Sequence, residues 1–308
     1  LTPTVRYDLE AIPVQDGPIW YRSTGDRTMR TRPPLLPLAL APLLAGLLLV
    51  GCDRTSSVDV VKKSPDETIQ AKSSNFTFEI HLNGAAVGQD VRLTGNGAFQ
   101  FQADNGQVTI EMPAAANGGK PVKIPTVITG GVVYQQYPKE VAKQLPGGKP
   151  WVKIDIAKLR QGGGASAVAQ GQSSDPTAAL AYLRGVDEDK DVKKLGVEEL
   201  RDVATTHYLA KLDLRTAAAR GGNDRDAIES FAVQLGAHEM DVDVWIDEEG
   251  RVRRLRYLVD TSKSASATAP AGSAKVATTL ELFDFGTQVK ADPPPSSQVT
   301  DATKLLAQ

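Results

Sequence analysis

The stretch NFTFEIHL, residues 75–82, places Phe76, Phe78, Ile80 and Leu82 at every second position, with polar or charged neighbours between them. An extended chain points successive side chains to opposite faces, so this spacing predicts a strand with one apolar face and one wet face. The alternation recurs at Val91 and Leu93, at Phe99 and Phe101, and at Val108 and Ile110, with Gly84, Gly88, Gly95, Gly97 and Gly106 expected to punctuate the runs. Half-wet strands pair antiparallel, because parallel sheets are covered on both faces and read as continuous apolar runs. An antiparallel meander follows.

Downstream, KPVKIPTVITGGVVYQQYP and KPWVKIDIAKL continue the meander around a turn of helix at KEVAKQLPGG. A low-complexity loop, RQGGGASAVAQGQSS, leads to Asp175 and Pro176, an N-cap and first-turn pair for a helix ending near Gly185. VKKLGVEELRDVATTHYLAKLDLR reads as one or two strands. Asn223 or Asp224 then caps the most amphipathic helix of the chain, with Ile228, Phe231, Ala232 and Leu235 on one face and Gly236 as its stop. Met240, Val242, Val244 and Ile246 alternate into a turn at DEEG and a returning strand. A last strand, KVATTLELFDFG, follows TSKSASATAPAGSA, which lacks the apolar content to fold and reads as a loop insertion. Upstream, Ser64, Pro65 and Glu67 form a capping box that opens a short helix. Many strands and few helices give an α+β domain, a curved antiparallel sheet with helices packed on one side.

The single cysteine of the 308 residues, Cys52, ends the segment MRTRPPLLPLALAPLLAGLLLVGC, residues 29–52. Arg30 and Arg32 precede a run without charge from Pro33 to Gly51, which is the layout of a signal peptide. Leu49-Val50-Gly51-Cys52 resembles the bacterial lipobox, in which the cysteine sulfur receives diacylglycerol and the cysteine becomes the mature N-terminus. Two acyl chains, at about 0.8 kcal/mol per buried methylene, anchor a protein durably. This reading divides the chain into a non-native N-terminal extension (1–28), a signal peptide (29–51), a lipidated cysteine with tether and short helix (52–74), a folded domain (75–292) and a C-terminal tail (293–308). It places the protein at the cell membrane, lipid-anchored on the extracytoplasmic face.

Beyond residue 51 the chain carries 30 basic and 33 acidic side chains, which argues against nucleic acid as a partner. His81, His207 and His238 show no metal-ligand spacing, and no Gly-x-Ser-x-Gly elbow or phosphate loop occurs, so no catalytic residue, metal or cofactor is assigned. His207 and Tyr208 point to opposite faces of a strand, which makes His207 a structural or surface residue. Asp241 and Asp243 read as a solvated outer face. Arg251, Arg253, Arg254 and Arg256 read as the wet side of an edge hairpin balanced by Asp247, Glu248 and Glu249, with anionic headgroups as the competing partner.

The order of the cysteine motif, the meander, LPGGKPWVKIDI, DPTAALAYLRGV, VATTHYLAKLDL, VDVWIDEEGRVRRLRY and TLELFDFG resembles the actinobacterial LppX/LprG-type lipoproteins, whose fold is LolA-like. The likeness spans residues 52 to 300. Asp202, where a glycine is expected, and the longer Ala/Ser loop before the last strand depart from it. The resemblance implies a half-barrel wrapped around helices on its concave side, with an apolar cavity that holds acylated lipid or glycolipid and carries it toward the outer envelope. A membrane transporter is a further partner to be considered. Candidate lining residues are Phe76, Phe78, Ile80, Leu82, Phe99, Phe101 and Ile110, facing Ile228, Phe231 and Leu235. The same side chains could instead pack as an ordinary core, which would suit a structural or accessory surface lipoprotein without lipid cargo.

Overall fold

The alternation at 75–82 becomes β1 (Ser73–Gly84), the strand on which the whole sheet is joined. The computed structural model describes residues 56–84, 90–114, 119–145, 147–161, 176–260 and 274–303. The signal peptide, Cys52, the loop at 162–175 and the insertion at 261–273 lie outside the described residues. From β1 the chain runs antiparallel through β2 (Val91–Gln100), β3 (Asn105–Met112), β4 (Val122–Thr129), β5 (Val132–Gln136) and β6 (Trp151–Asp155). A second meander comprises β7 (Val192–Leu200), β8 (Val203–Asp213), β9 (Glu239–Asp247), β10 (Val252–Asp260) and β11 (Ala274–Phe283). The two meanders meet where β1 pairs with β11, in a register that sets Phe76 against Leu282 and Phe78 against Leu280. A short β12 (Val299–Asp301) pairs parallel to β6, so the tail assigned to 293–308 contributes an edge strand. The result is one open sheet of twelve strands, bounded by β12 and β7.

Helices fill one side. α1 (Ser57–Gln70) precedes β1, α2 (Lys139–Ala142) lies between β5 and β6, and α3 (Ile156–Gln161) follows β6. α4 (Pro176–Ala181) runs into a 3-10 turn, Tyr182–Gly185, before β7. α5 (Leu214–Arg220) and α6 (Arg225–Leu235) connect β8 to β9. None of these helices is long and apolar enough to cross a membrane. Twelve strands laid flat would span roughly 50 Å, several helix diameters. Yet residues from β1 to β5 and from β7 to β11 share one apolar cluster with α1, α4, α5 and α6, so the sheet curves around its helices as a half-barrel. A satellite cluster of Val152, Ile154 and Leu159 seats α3 on β6. All of this belongs to one compact unit, Thr55–Gln308, with its own core, which is what a part needs in order to fold by itself.

The strand readings of KPWVKIDIAKL and of the segment ending LAKLDLR stop short, because α3 begins at Ile156 and α5 at Leu214, and three further local expectations change. Ser64 does not cap a helix: α1 starts eight residues earlier, capped by the Ser56 hydroxyl, which accepts from the Asp59 N–H at 3.1 Å. Val58 and Val61 bury an apolar stripe that the polar sequence around them hides, so residues 57–63 are helix rather than tether. Ser64 turns inward and donates to the Val61 carbonyl at 2.8 Å. Secondly, Gly95, Gly97 and Gly106 lie inside β2 and β3 instead of ending them. A Cβ at Gly95 would stand 2.2 Å from the Phe78 ring, and one at Gly106 would stand 2.4 Å from the Phe99 ring. Gly95 and Gly106 are floor space for aromatic rings that lie across the neighbouring strand. Finally, β10 is an interior strand between β9 and β11, so the arginine-rich RVRRLRY is not an edge hairpin.

Candidate functional site

Register decides which side chains meet on the concave face. Ile80 stands opposite Leu93 on one side and Thr278 on the other, and Thr278 stands opposite Tyr257. One step back along β1, Phe78 shares its row with Leu280 and Leu255, all buried. In the Ile80 row, Ile80, Leu93, Thr278 and Tyr257 are only half-buried, as are Met112, Val122 and Val276 toward the same end of the sheet. The helical side supplies Tyr182 and Phe231, stacked with ring centroids 4.8 Å apart, and both meet Tyr257 edge-on at 6.1 and 6.0 Å. Burial pushes the Tyr257 hydroxyl above its usual range, against the pull of a hydrogen bond with Thr278. Tyr257 as a whole is half-buried and packs against the core. The arrangement is an apolar strip with aromatic side chains along it, buried at the Phe78 row and half-buried from the Ile80 row onward.

Of the ten lining candidates, Phe76, Phe78, Phe99, Phe101, Ile110, Ile228 and Leu235 are buried in the main core, and Phe76, Phe99 and Ile228 expose 1% or less. Ile80 and Phe231 stand in the half-buried part of the strip, and Leu82 is half-buried one row beyond Ile80. Sequence reasoning missed Tyr182, Leu93, Met112, Val122, Tyr257 and Val276. Alternation in LRYLV and VKIPTVIT could have marked the strand residues, but Tyr182 sits in a 3-10 turn whose facing no period announces.

The convex face carries a polar cluster. His207 lies between two carboxylates, with Nδ1 2.8 Å from Glu198 and Nε2 2.8 Å from Asp243. Its ring stacks on Trp245 at 4.0 Å, and the Trp245 indole N–H donates to the second Glu198 oxygen at 2.7 Å. Burial disfavours the imidazolium, but hydrogen bonds to Asp243 and Glu198 outweigh it and raise the His207 pKa above its ordinary value. Burial also opposes the Glu198 carboxylate, yet Trp245 and His207 hold its pKa low. Both imidazole nitrogens are occupied, so neither is free to act as a base. Asp243 is buried beneath Arg256, not part of a solvated face. The arginines are likewise engaged: Arg251 and Arg253 with Asp247, Arg254 with Glu281, and Arg254 and Arg256 over the Trp245 ring. Among the described residues no group of three or more His, Cys, Asp or Glu could hold a metal ion.

No protein-family model matches the chain. It is 30% identical over 169 residues to an uncharacterized 31.2 kDa protein of Streptomyces griseus, covering 53% of this chain and 51% of that one. It is 25% identical over 177 residues to a Streptomyces coelicolor protein provisionally named a lipoprotein, covering 56% of this chain and 50% of that one. The chain thus spans about half the length of the curated relatives it matches. Among solved structures, LprF from Mycobacterium bovis is similar over 78% of this chain and 97% of its own, at 14% identity and a TM-score of 0.42. The lipoprotein LppX from Mycobacterium tuberculosis is similar over 76% and 97%, at 14% identity and 0.43. A LolA superfamily protein from Nitrosomonas europaea is similar over 79% and 96%, at 10% identity and 0.29.

Proposed function

We propose that this protein is a membrane-anchored lipoprotein, attached through Cys52 on the extracytoplasmic face, that holds an acylated lipid or glycolipid between its sheet and its helices. In this reading it carries that lipid toward the outer envelope. The observation that carries the proposal is the strip around Tyr257. Acyl chains crossing water need a dry container, and in this reading the half-buried Ile80, Leu93, Met112, Val276, Phe231 and Tyr257, which pack on the core, part to line it without any covalent chemistry. Tyr257 and Thr278 add a polar pair at its wall.

The test is native mass spectrometry with lipid extraction on residues 53–308 expressed in an actinobacterial host. A stoichiometric acylated adduct is expected, lost when Val276→Trp fills the strip but kept when the outward-facing Lys193 is changed to Ala. An accessory protein without cargo is the second reading, favoured by the full enclosure of Phe76, Phe99 and Ile228. A clean protein mass and no uptake of added glycolipid would establish it instead.

A further inference from the structure

An open sheet has two edges, and here they are unequal. β12 offers three residues, β7 offers nine, and the far side of β7 has no strand against it among the described residues. A long free edge is a template for another strand, and proteins commonly guard it with like charges that repel a second copy. β7 does the opposite. Its sequence, VKKLGVEEL, places Lys193 and Lys194 before Leu195-Gly196-Val197 and Glu198 and Glu199 after it. A copy of the strand running antiparallel meets this order reversed, lysines against glutamates. The centre is open and apolar, with Leu195 45% and Val197 69% exposed. A Cβ at Gly196 would meet nothing within 4 Å.

Pairing with β8 fixes which residues share a face. A register shift between Lys194 and Gly196 exchanges the two faces along β7. Lys193, opposite Leu209, and Glu198, opposite Thr205, therefore lie on the convex side. Lys194, opposite Tyr208, Val197, opposite Thr206, and Glu199, opposite Ala204, lie on the concave side. A twofold axis normal to the sheet must bring convex residues opposite convex ones. The register that satisfies this sets Lys193 against Glu198 twice, and Lys194 against Val197 with Glu199 on the diagonal, within reach of a long side chain. The strand is presented in a fixed pose, because both Glu198 oxygens are held by His207 and Trp245. We infer that β7 pairs antiparallel with β7 of a second copy of this chain, joining two half-barrels into one continuous sheet. This inference is independent of the lipid reading.

Sedimentation equilibrium on residues 53–308 over a concentration series tests it. A monomer–dimer equilibrium is expected, weakened by salt, as screened cross-strand charges require. Lys193→Glu with Lys194→Glu makes the strand uniformly acidic and should weaken the dimer by about tenfold or more. Both lysines are exposed, so the variant should keep the circular dichroism of the parent. Residues 53–308 contain no cysteine, which allows a geometric check. Gly196→Cys should cross-link two copies through a short bismaleimide, whereas Asp301→Cys on the opposite edge should not. A chain that stays monomeric at every concentration, a charge-reversed variant that dimerises as well as the parent, or equal cross-linking from both edges would each overturn the proposal.

Discussion

Asp202 shows how a single residue records both the fold and a departure from the pattern the sequence resembles. It closes the β7–β8 hairpin with Arg201, and both have positive φ, 50° and 61°. Two central residues in that region make the hairpin turn whose twist suits its strands, and glycine is the favoured second residue. Asp202→Gly should therefore raise stability by about 0.5–1 kcal/mol, read as a higher urea midpoint with an unchanged slope. Arg201 is a poorer place for the same change, since its guanidinium pairs with Glu281 and covers the Phe283 ring at 3.9 Å. His207 is the second test at this scale. Its pKa is raised in the folded state, so its stabilisation is complete below the unfolded value near 6.5 and fades as pH rises through the folded value. Thermal stability should fall across that window, and His207→Gln should flatten the fall. An NMR titration of the imidazole that gave an ordinary or lowered pKa would refute the assignment.

At the scale of elements, a single hydroxyl ties α1 to the sheet. Thr68 donates to the Ser64 carbonyl at 2.6 Å and accepts the Val252 N–H at 2.9 Å, where the β9–β10 pairing slips register and frees that donor. Thr68→Val keeps the shape but strands a buried N–H, at a cost of about 1–3 kcal/mol in chemical denaturation. The glycines of β2 give a ranking. A Cβ at Gly97 would stand 2.0 Å from the Gln107 carbonyl oxygen, which is backbone, whereas one at Gly95 would meet only the Phe78 ring. Gly97→Ala should be the more destabilising of the two, at or above the upper end of the roughly 1–3 kcal/mol typical of overpacking, with Gly95→Ala inside that range. These features also show where legibility stopped. The strands other than β12, and α6 with its stop at Gly236, followed from periodicity and turn glycines, because those signals are local. Gly95 and Gly106 looked like punctuation because their purpose lies in a neighbouring strand, and α1 was shortened because its buried valines are spaced among charges.

At the scale of the molecule, the antiparallel class and the one-sided helices were legible from alternation, while the strand order was not. Nothing local in FTFEIHL names KVATTLELF as its neighbour, although that pairing joins the two meanders. The candidate site was legible to the same extent: Ile80 and Phe231 by their faces, Tyr257 and Tyr182 only through the pairing of β10 with β11 and the placement of a 3-10 turn. Deleting residues 274–308 should remove the seam itself. We expect a chain with residual far-UV signal, no near-UV signal and strong dye binding, and a cooperative unfolding transition in that variant would contradict the role assigned to β11.

The seam also sets a clock. One flank of β1 waits for a partner that does not begin until residue 274, so a chain made N-terminus first keeps that flank unpaired until β11 has followed. Loop closure over such a separation is slow and cannot start early. The order of the strands along the chain therefore makes the seam the last part of the sheet to close.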